Sequence, residues 1–515
     1  MHPFVLRLTS AVSILLVTLA STGALGAQAT TDAGARAPVA AARASAPRTA
    51  NSFSAERLAR VDRFLQQYVD SNLIGGAVAL VLRNGQVAYT KSVGWIDRES
   101  RRPMTPDAIF RIASQSKAIT STAILILVEE GRIALSDPVS RFIPAFAHTT
   151  VASSADSGRT VVAARRPITI QDLLTHTAGI SYGGERWIAD RYAAKGLGPA
   201  AGNGWYTADK TEPVCETMER LATLPFVAQP GESFVYGYNT DILGCVVERA
   251  SGIALDEFIR TRITGPLGMS DTRITLTADE RARLAPGHDV GGDTTANWEL
   301  DALAGAGALR STADDLLDYL AAAMRGDSAT AVGRALRFAE LPRRSAGAPV
   351  TQIGLAWNAR IVDGDTIVWH NGATGGYHSL LGFDAARGVG LVVLSNSAVP
   401  YDDVALHLLD PAVPISPPAV PPHRDAVTLT AAQLAPYVGR YQLAPQVVLE
   451  VTRDGTQLYA QLTGQQPIPM YAERDGRFFL RVVDAVLDFE RDGEGRVAAV
   501  VLHQNGRDAR APRLP

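Results

Sequence analysis

The 515-residue chain is too long for one ordinary domain, and its composition, 46% hydrophobic and 20% charged, is that of a globular protein. This balance excludes general disorder, and a formal net charge of −3 leaves no electrostatic footprint for nucleic acid. A small or peptide-like substrate is expected instead.

The chain opens on Arg7, the apolar stretch Ala11 to Ala20 and small residues from Ala24 to Ala29, which reads as a secretory signal over 1–29. That stretch is shorter than the roughly 18–20 residues needed to span a bilayer, and no later segment is long enough without charge or glycine. A secreted or periplasmic mature protein with no membrane span is expected. Residues 30–50 are alanine-rich with Arg and Pro and read as a tether.

Ser54 can cap a helix carrying Leu58, Val61, Leu65 and Tyr68 at helical spacing. Gly76 to Leu82, Asn84-Gly85 and Gln86 to Val93 then read as a β-hairpin, since Asn-Gly suits a type I′ turn. Next comes Phe110-Arg111-Ile112-Ala113-Ser114-Gln115-Ser116-Lys117, leading into an apolar run that ends at Val128. A run apolar around most of its circumference predicts a helix buried on several sides, stopped at Gly131. Ser114 and Lys117, three residues apart at its start, project from one face. A hydroxyl becomes a nucleophile when a neighbour takes its proton, and a lysine amine can do so if burial lowers its pKa. The spacing alone also fits Ser114 as a helix cap and Lys117 as a solvated charge.

From Leu135 to about Glu340 the pattern is helical and loop-rich, with Thr169-x-x-Asp172 as a capping signal. Ser153 to Arg166 and Gly183 to Lys210 read as surface or active-site loops, and the aromatic residues of the second (Trp187, Tyr192, Trp205, Tyr206) either line a cleft or anchor the loop. Cys215 and Cys245 either pair or remain buried thiols, and no His/Cys spacing resembles a metal site. Strands return at Thr366 to His370, Tyr377 to Phe383 and Val389 to Ser395, so one sheet assembled from both ends of this region is expected, with the site at its junction with the helices. The region 51–410 thus forms one α+β domain. A proline-rich linker, 411–428, leads to a small antiparallel barrel or sandwich over 429–515, with strands at Val447 to Thr452, Gln457 to Leu462, Arg477 to Val482, Val486 to Arg491 and Arg496 to His503.

Two later stretches bear on Ser114: Pro230-Gly231-Glu232-Ser233-Phe234-Val235-Tyr236-Gly237-Tyr238-Asn239-Thr240-Asp241-Ile242-Leu243-Gly244, and His370-Asn371-Gly372-Ala373-Thr374-Gly375-Gly376-Tyr377. With Ser114-x-x-Lys117 they resemble, in order, the three motifs of the serine β-lactamase and penicillin-binding protein superfamily. The resemblance is to its class C-like branch, which includes class C β-lactamases, D-amino acid peptidases and family VIII esterases. It covers roughly Ser54 to Asp410 and implies a β-lactamase/transpeptidase-like fold, here followed by a lipocalin-like β domain. Leu174 to Ile180 resembles a recurring structural turn of the group, and Asp301 to Asp315 a structural turn and helix start in which Ser311 or Thr312 caps the helix.

The resemblance implies Ser114 as nucleophile, Lys117 as proton acceptor, Tyr236 as partner in general acid/base duty and the N–H groups of Ser114 and Ala373 as an oxyanion hole. His370 stands where other members have lysine and would hold a substrate carboxylate less firmly. Tyr238 replaces the asparagine of Tyr-x-Asn, and Asn239 lies one position late; with Gly372, these two are the remaining candidate substrate-binding positions. The departure at His370 points away from a dedicated β-lactamase, and that at Tyr238 favours ester or relaxed-specificity hydrolysis; no cofactor and no metal are expected. The alternative is a silent receptor of the same fold that binds cell-wall peptides or a protein partner.

Overall fold

The computed structural model describes residues 55–153, 160–185, 187–198, 211–289, 292, 294–341, 343–346, 351–362, 364–410, 412–415, 424–444, 447–462, 467–481, 484–504 and 507–514. The Ser54 cap, the leader, the tether, Trp205 and Tyr206 lie outside the described residues, as do 411 and 416–423 of the proline-rich linker.

Nine antiparallel strands form the central sheet. They are β1 (Gly76–Arg83), β2 (Gln86–Asp97), β3 (Arg102–Pro103), β4 (Arg344–Ser345), β5 (Thr351–Ile353), β6 (Asn358–Val362), β7 (Asp365–Thr374), β8 (Tyr377–Asp384) and β9 (Val389–Ser395). Their spatial order is β3-β2-β1-β9-β8-β7-β6-β5-β4, so the sheet is assembled from the two ends of the α+β region as the hairpin and the late strands predict. The Asn84-Gly85 turn joins β1 to β2, with both residues at positive φ.

The helices used below are α1 (Ala55–Asp70), α2 (Ser116–Glu129), α3 (Val214–Leu221), α4 (Asn239–Ser251), α5 (Ala304–Gly307), α6 (Ala313–Arg325), α7 (Ala331–Ala339) and α8 (Asp402–Leu409). β1 is covered on both faces, because its alternate residues enter different cores. Ala77, Ala79 and Val81 pack with Val61 and Leu65 of α1 and with Val404 and Leu408 of α8. Val78, Leu80 and Leu82 pack on the opposite side with Ile119, Ala123 and Ile126 of α2 and Leu316 and Leu320 of α6.

Helix α2 is buried from Ser116 to Leu127, as its all-round apolar pattern predicts. Two of its threonines are satisfied internally: Thr120 Oγ1 donates to Gly305 O at 2.7 Å and Thr122 Oγ1 shares a hydrogen bond with Tyr319 at 2.8 Å. Gly131, at φ +70°, ends the helix.

The helical region contains more sheet than its composition suggests. Thr150–Ala152 pairs with Val161–Ala163 and Pro225–Phe226, so the stretch Ser153 to Arg166 holds a strand where a loop is expected. In the second expected loop, Tyr192 is fully buried on the short helix Ala189–Ala193 and therefore anchors the chain. Thr169 and Asp172 form the expected capping box, and Thr312 caps α6 by accepting from Asp315 N. Cys215 of α3 and Cys245 of α4 are joined in a disulfide across 30 residues of sequence. Closing a loop of that length restricts the unfolded chain, so Cys215→Ser together with Cys245→Ser is expected to lower unfolding free energy by about 2–4 kcal/mol in a denaturant titration.

The C-terminal domain is an eight-stranded barrel: β10 (Gly439–Ala444), β11 (Val447–Asp454), β12 (Gln457–Leu462), β13 (Ile468–Arg474), β14 (Arg477–Leu480), β15 (Ala485–Arg491), β16 (Val497–Gln504) and β17 (Arg507–Pro512). The first and last strands meet where Tyr441 bridges Arg513 and Leu514 N donates to Arg440 O at 2.7 Å. β10, β13 and β17 are not among the strands expected from sequence, because Gly439, Pro469 and the charged run Arg507-Asp508-Ala509-Arg510 weaken their β pattern.

Candidate active site

The three sequence motifs converge at the junction of the sheet and helices. Ser114 stands on a single 3-10 turn, Ala113–Gln115, immediately ahead of α2. The residue before it, Ala113, is left-handed at φ +50°, a conformation costly for a side chain with Cβ and held here by its surroundings. Ile112 N donates to Leu309 O at 3.1 Å and Ile112 O accepts from Ser379 Oγ at 2.8 Å, which fixes the chain at the entry to the turn.

Lys117, one α-turn on, is 1% exposed, and its Nζ lies 2.9 Å from Ser114 Oγ and 3.1 Å from Ala306 O. Its ammonium or amine sits over the Tyr236 ring, 4.7 Å from the centroid, with Tyr182 6.0 Å away. Tyr236 is half-buried and packs on His176, with centroids 4.8 Å apart. The serine is thus the accessible end of a pair whose lysine is enclosed.

Strand β7 forms the opposite wall. A Cβ on Gly372 would stand 2.2 Å from Ile112 O and 2.9 Å from Ser114 N, so glycine permits the strand to lie directly against the nucleophile turn. β7 and β8 close on Gly375-Gly376 with Thr374 opposite Tyr377, which places Ala373 and His378 in the next pair. Hydrogen-bonded and non-hydrogen-bonded pairs alternate in such a ladder, so the Ala373 N–H faces away from β8. On that side β6 pairs only as far as Trp369, leaving a strand edge beside Ser114 that is open among the described residues.

His370 is buried on the α2 side of β7, and its Nδ1 lies 2.6 Å from Asn371 O. Burial, reinforced by the nearby Lys117 charge, pushes its pKa down to about 4. The imidazole is therefore neutral at physiological pH. Because the folded value lies below the ordinary 6.5, the unfolded state binds the proton first. Relative to His370→Gln, the native protein should lose stability as pH falls from about 6.5 toward 4, on the order of 1 kcal/mol per pH unit. In a side-chain NMR titration the His370 resonance should stay neutral down to pH about 5.

Tyr238 and Asn239 are both 0% exposed and so present no surface to a substrate, which corrects the expectation for these two positions. The Tyr238 hydroxyl accepts from Gly198 N at 3.1 Å, and its ring meets Tyr182 edge-on. Asn239 Nδ2 lies within 3.1 Å of both His176 Nδ1 and Val235 O, so Asn239 ties the His176 turn to the chain bearing Tyr236. The physical reason is helix geometry: α4 begins at Asn239, and its first turn points into the core.

Several contributors are not legible in the motifs. His176, in the turn read as structural, packs against the Tyr236 ring at a tilt; burial and then the Lys117 charge hold it well below its usual pKa. Its φ of +53° marks a special turn that sequence alone does not show. Arg111 is buried between Trp298 and Tyr377, 4.7 and 4.5 Å from their ring centroids, and donates from Nε to Thr374 Oγ1 at 3.0 Å. Glu129 is occupied by Arg334 at 2.7 Å, and Glu130 by Arg262. Among the described residues, no group of three or more His, Cys, Asp or Glu could hold a metal ion, and no helix is long and apolar enough to cross a membrane.

Comparison with known proteins gives two family matches. Residues 61–412 match the β-lactamase family model, and 423–511 match a domain of unknown function, DUF3471. An uncharacterised Mycobacterium tuberculosis protein is 35% identical over 272 residues, covering 50% of this chain and 64% of that protein. Esterase EstB of Burkholderia gladioli is 36% identical over 242 residues, covering 47% of this chain and 57% of EstB. The chain thus spans under two thirds of the length of each of these relatives. The octameric penicillin-binding protein homologue from Pyrococcus abyssi superposes with a TM-score of 0.57 at 23% identity, covering 88% of this chain and 99% of that one, and so shares its fold.

Proposed function

This chain belongs to the β-lactamase family, and from that premise we propose that it is an exported serine hydrolase that opens ester or amide bonds of small or peptide-like substrates through an acyl-enzyme on Ser114. The observation that carries this reading is the 2.9 Å contact between Ser114 Oγ and the enclosed Lys117 Nζ. A solvated lysine side chain would be indifferent to the serine, whereas this one has its Nζ directed at the hydroxyl.

In the proposed sequence, Lys117 in its amine form takes the Ser114 proton as Oγ attacks the substrate carbonyl carbon. The oxygen of the tetrahedral intermediate is received by the N–H groups of Ser114 and Ala373, the second from the open β7 edge. The lysine, with the Tyr236 hydroxyl as relay, returns the proton to the leaving alkoxide or amine. Water then enters, gives a proton to the same pair and releases the acid, restoring Ser114. His370, neutral and buried, supplies shape rather than charge at the position where other members present lysine.

That neutrality supports an ester over a carboxylate-bearing β-lactam or D-Ala-D-Ala peptide, and the likeness to EstB points the same way. Export is supported by the N-terminal signal pattern and by the Cys215–Cys245 disulfide, which persists in oxidising compartments. Incubation with a fluorophosphonate followed by intact-mass measurement and peptide mapping tests the assignment. One adduct on Ser114 is expected; an unmodified protein would return the reading to a silent receptor. Rates on a p-nitrophenyl ester, a D-amino acid amide, a D-Ala-D-Ala peptide and nitrocefin then rank the substrate classes, and the ester should be fastest.

A further inference from the structure

Near Lys117 lies a buried carboxyl to which none of the three motifs assigns a role. Asp241, in the first turn of α4, is 0% exposed, and its Oδ1 accepts from Ala306 N at 3.0 Å. The same Ala306 residue offers its carbonyl to Lys117 Nζ at 3.1 Å. One residue of α5 is therefore gripped through its N–H by Asp241 and through its C=O by the lysine.

The neighbouring contacts make this segment a fitted wedge between α2 and α4. A Cβ on Gly305 would lie 2.3 Å from Thr240 O and 3.0 Å from Asp241 Cα, so the two backbones touch there. From the other side, Thr120 Oγ1 of α2 holds Gly305 O at 2.7 Å. α5 is only four residues long, and a helix that short does not hold its own position. Its placement comes from these side-chain bonds. Asp241 Oδ2 has no hydrogen-bond partner among the described residues, and burial raises the Asp241 pKa to about 7 against the opposing pull of Lys117.

We propose that Asp241 is a positioning residue for the reaction, holding the Ala306 carbonyl where it fixes the Lys117 amine against Ser114. This rests on the Ser114–Lys117 reading. Without Asp241 the Ala306 peptide is free to turn, the lysine loses one of its two oxygen partners, and its amine no longer stays within reach of the hydroxyl. Substrate binding, which involves the β7 edge, is untouched.

The test uses the full-length protein and compares Asp241→Ala, Asp241→Leu and Asp241→Asn. Leucine fills the space without an acceptor, and asparagine keeps an oxygen for Ala306 N. Single-turnover acylation by a p-nitrophenyl ester should slow about 100-fold in the alanine and leucine variants with KM within about threefold, and asparagine should restore the rate to within about tenfold of native. The proposal is overturned if either acceptor-free variant, folded by circular dichroism, acylates within threefold of native, or if folded Asp241→Asn is as slow as Asp241→Leu. Fluorophosphonate labelling of the native protein runs alongside. Its absence would overturn the Ser114 reading itself, and labelling with rates indifferent to Asp241 would overturn only the positioning role.

Discussion

Ser114→Ala is expected to abolish turnover, with kcat at least about 10⁴-fold below native, and to take up no fluorophosphonate. The reason is that no other hydroxyl of the helix start can stand in. Ser116 is fully buried and accepts from Leu309 N at 3.2 Å, and Thr120 is committed to Gly305 O. Neither can swing into the site without abandoning a partner inside the core, at a cost of about 1–3 kcal/mol for each group left unsatisfied. The fold should survive, because Ser114 is half-buried and Lys117 keeps Ala306 O after the hydroxyl is gone. Intact mass, circular dichroism and ester turnover on the same preparation make the check complete. Turnover within tenfold of native, or an adduct on the variant, would remove Ser114 from its role.

Much of this site was legible in the sequence because it depends on local spacing. Ser114 and Lys117 meet because three residues make nearly one turn, and the all-round apolar run to Val128 required a buried helix. The sheet assembled from two distant ends followed from the Asn84-Gly85 hairpin and the three late β runs. The illegible parts are those set by non-local contacts. Tyr238 and Asn239 sit in a motif otherwise associated with substrate, yet the start of α4 turns both into the core. Ala113 is left-handed although nothing about an alanine announces it. The grip on Ala306 joins residues 117, 241 and 306, a relation that no spacing rule contains. In the C-terminal barrel, β13 and β17 gain their strand character from pairing partners rather than from their own propensities.

The second large effect comes from adding a single methyl group. In Gly372→Ala the new Cβ would meet Ile112 O at 2.2 Å, Ser379 Oγ at 2.7 Å and Ser114 N at 2.9 Å. The serine hydroxyl can rotate, but the two backbone atoms cannot yield separately. Ile112 is tied to Leu309 and Ser379, and the next residue is already in a left-handed conformation. Relief must come from moving β7 away from the nucleophile turn by roughly 1 Å, a displacement of the size that costs about 10²-fold in rate when it separates reacting groups. Overpacking of this kind destabilises by about 1–3 kcal/mol. The Ala373 N–H would recede with the strand, so the loss should appear in kcat, where a donor to the developing oxyanion acts, rather than in KM. Gly493→Ala, where nothing lies within 4 Å, should change neither rate nor unfolding midpoint. Native-like kcat in folded Gly372→Ala would show that β7 absorbs the methyl without shifting, and that the closeness of strand and nucleophile does not set the rate.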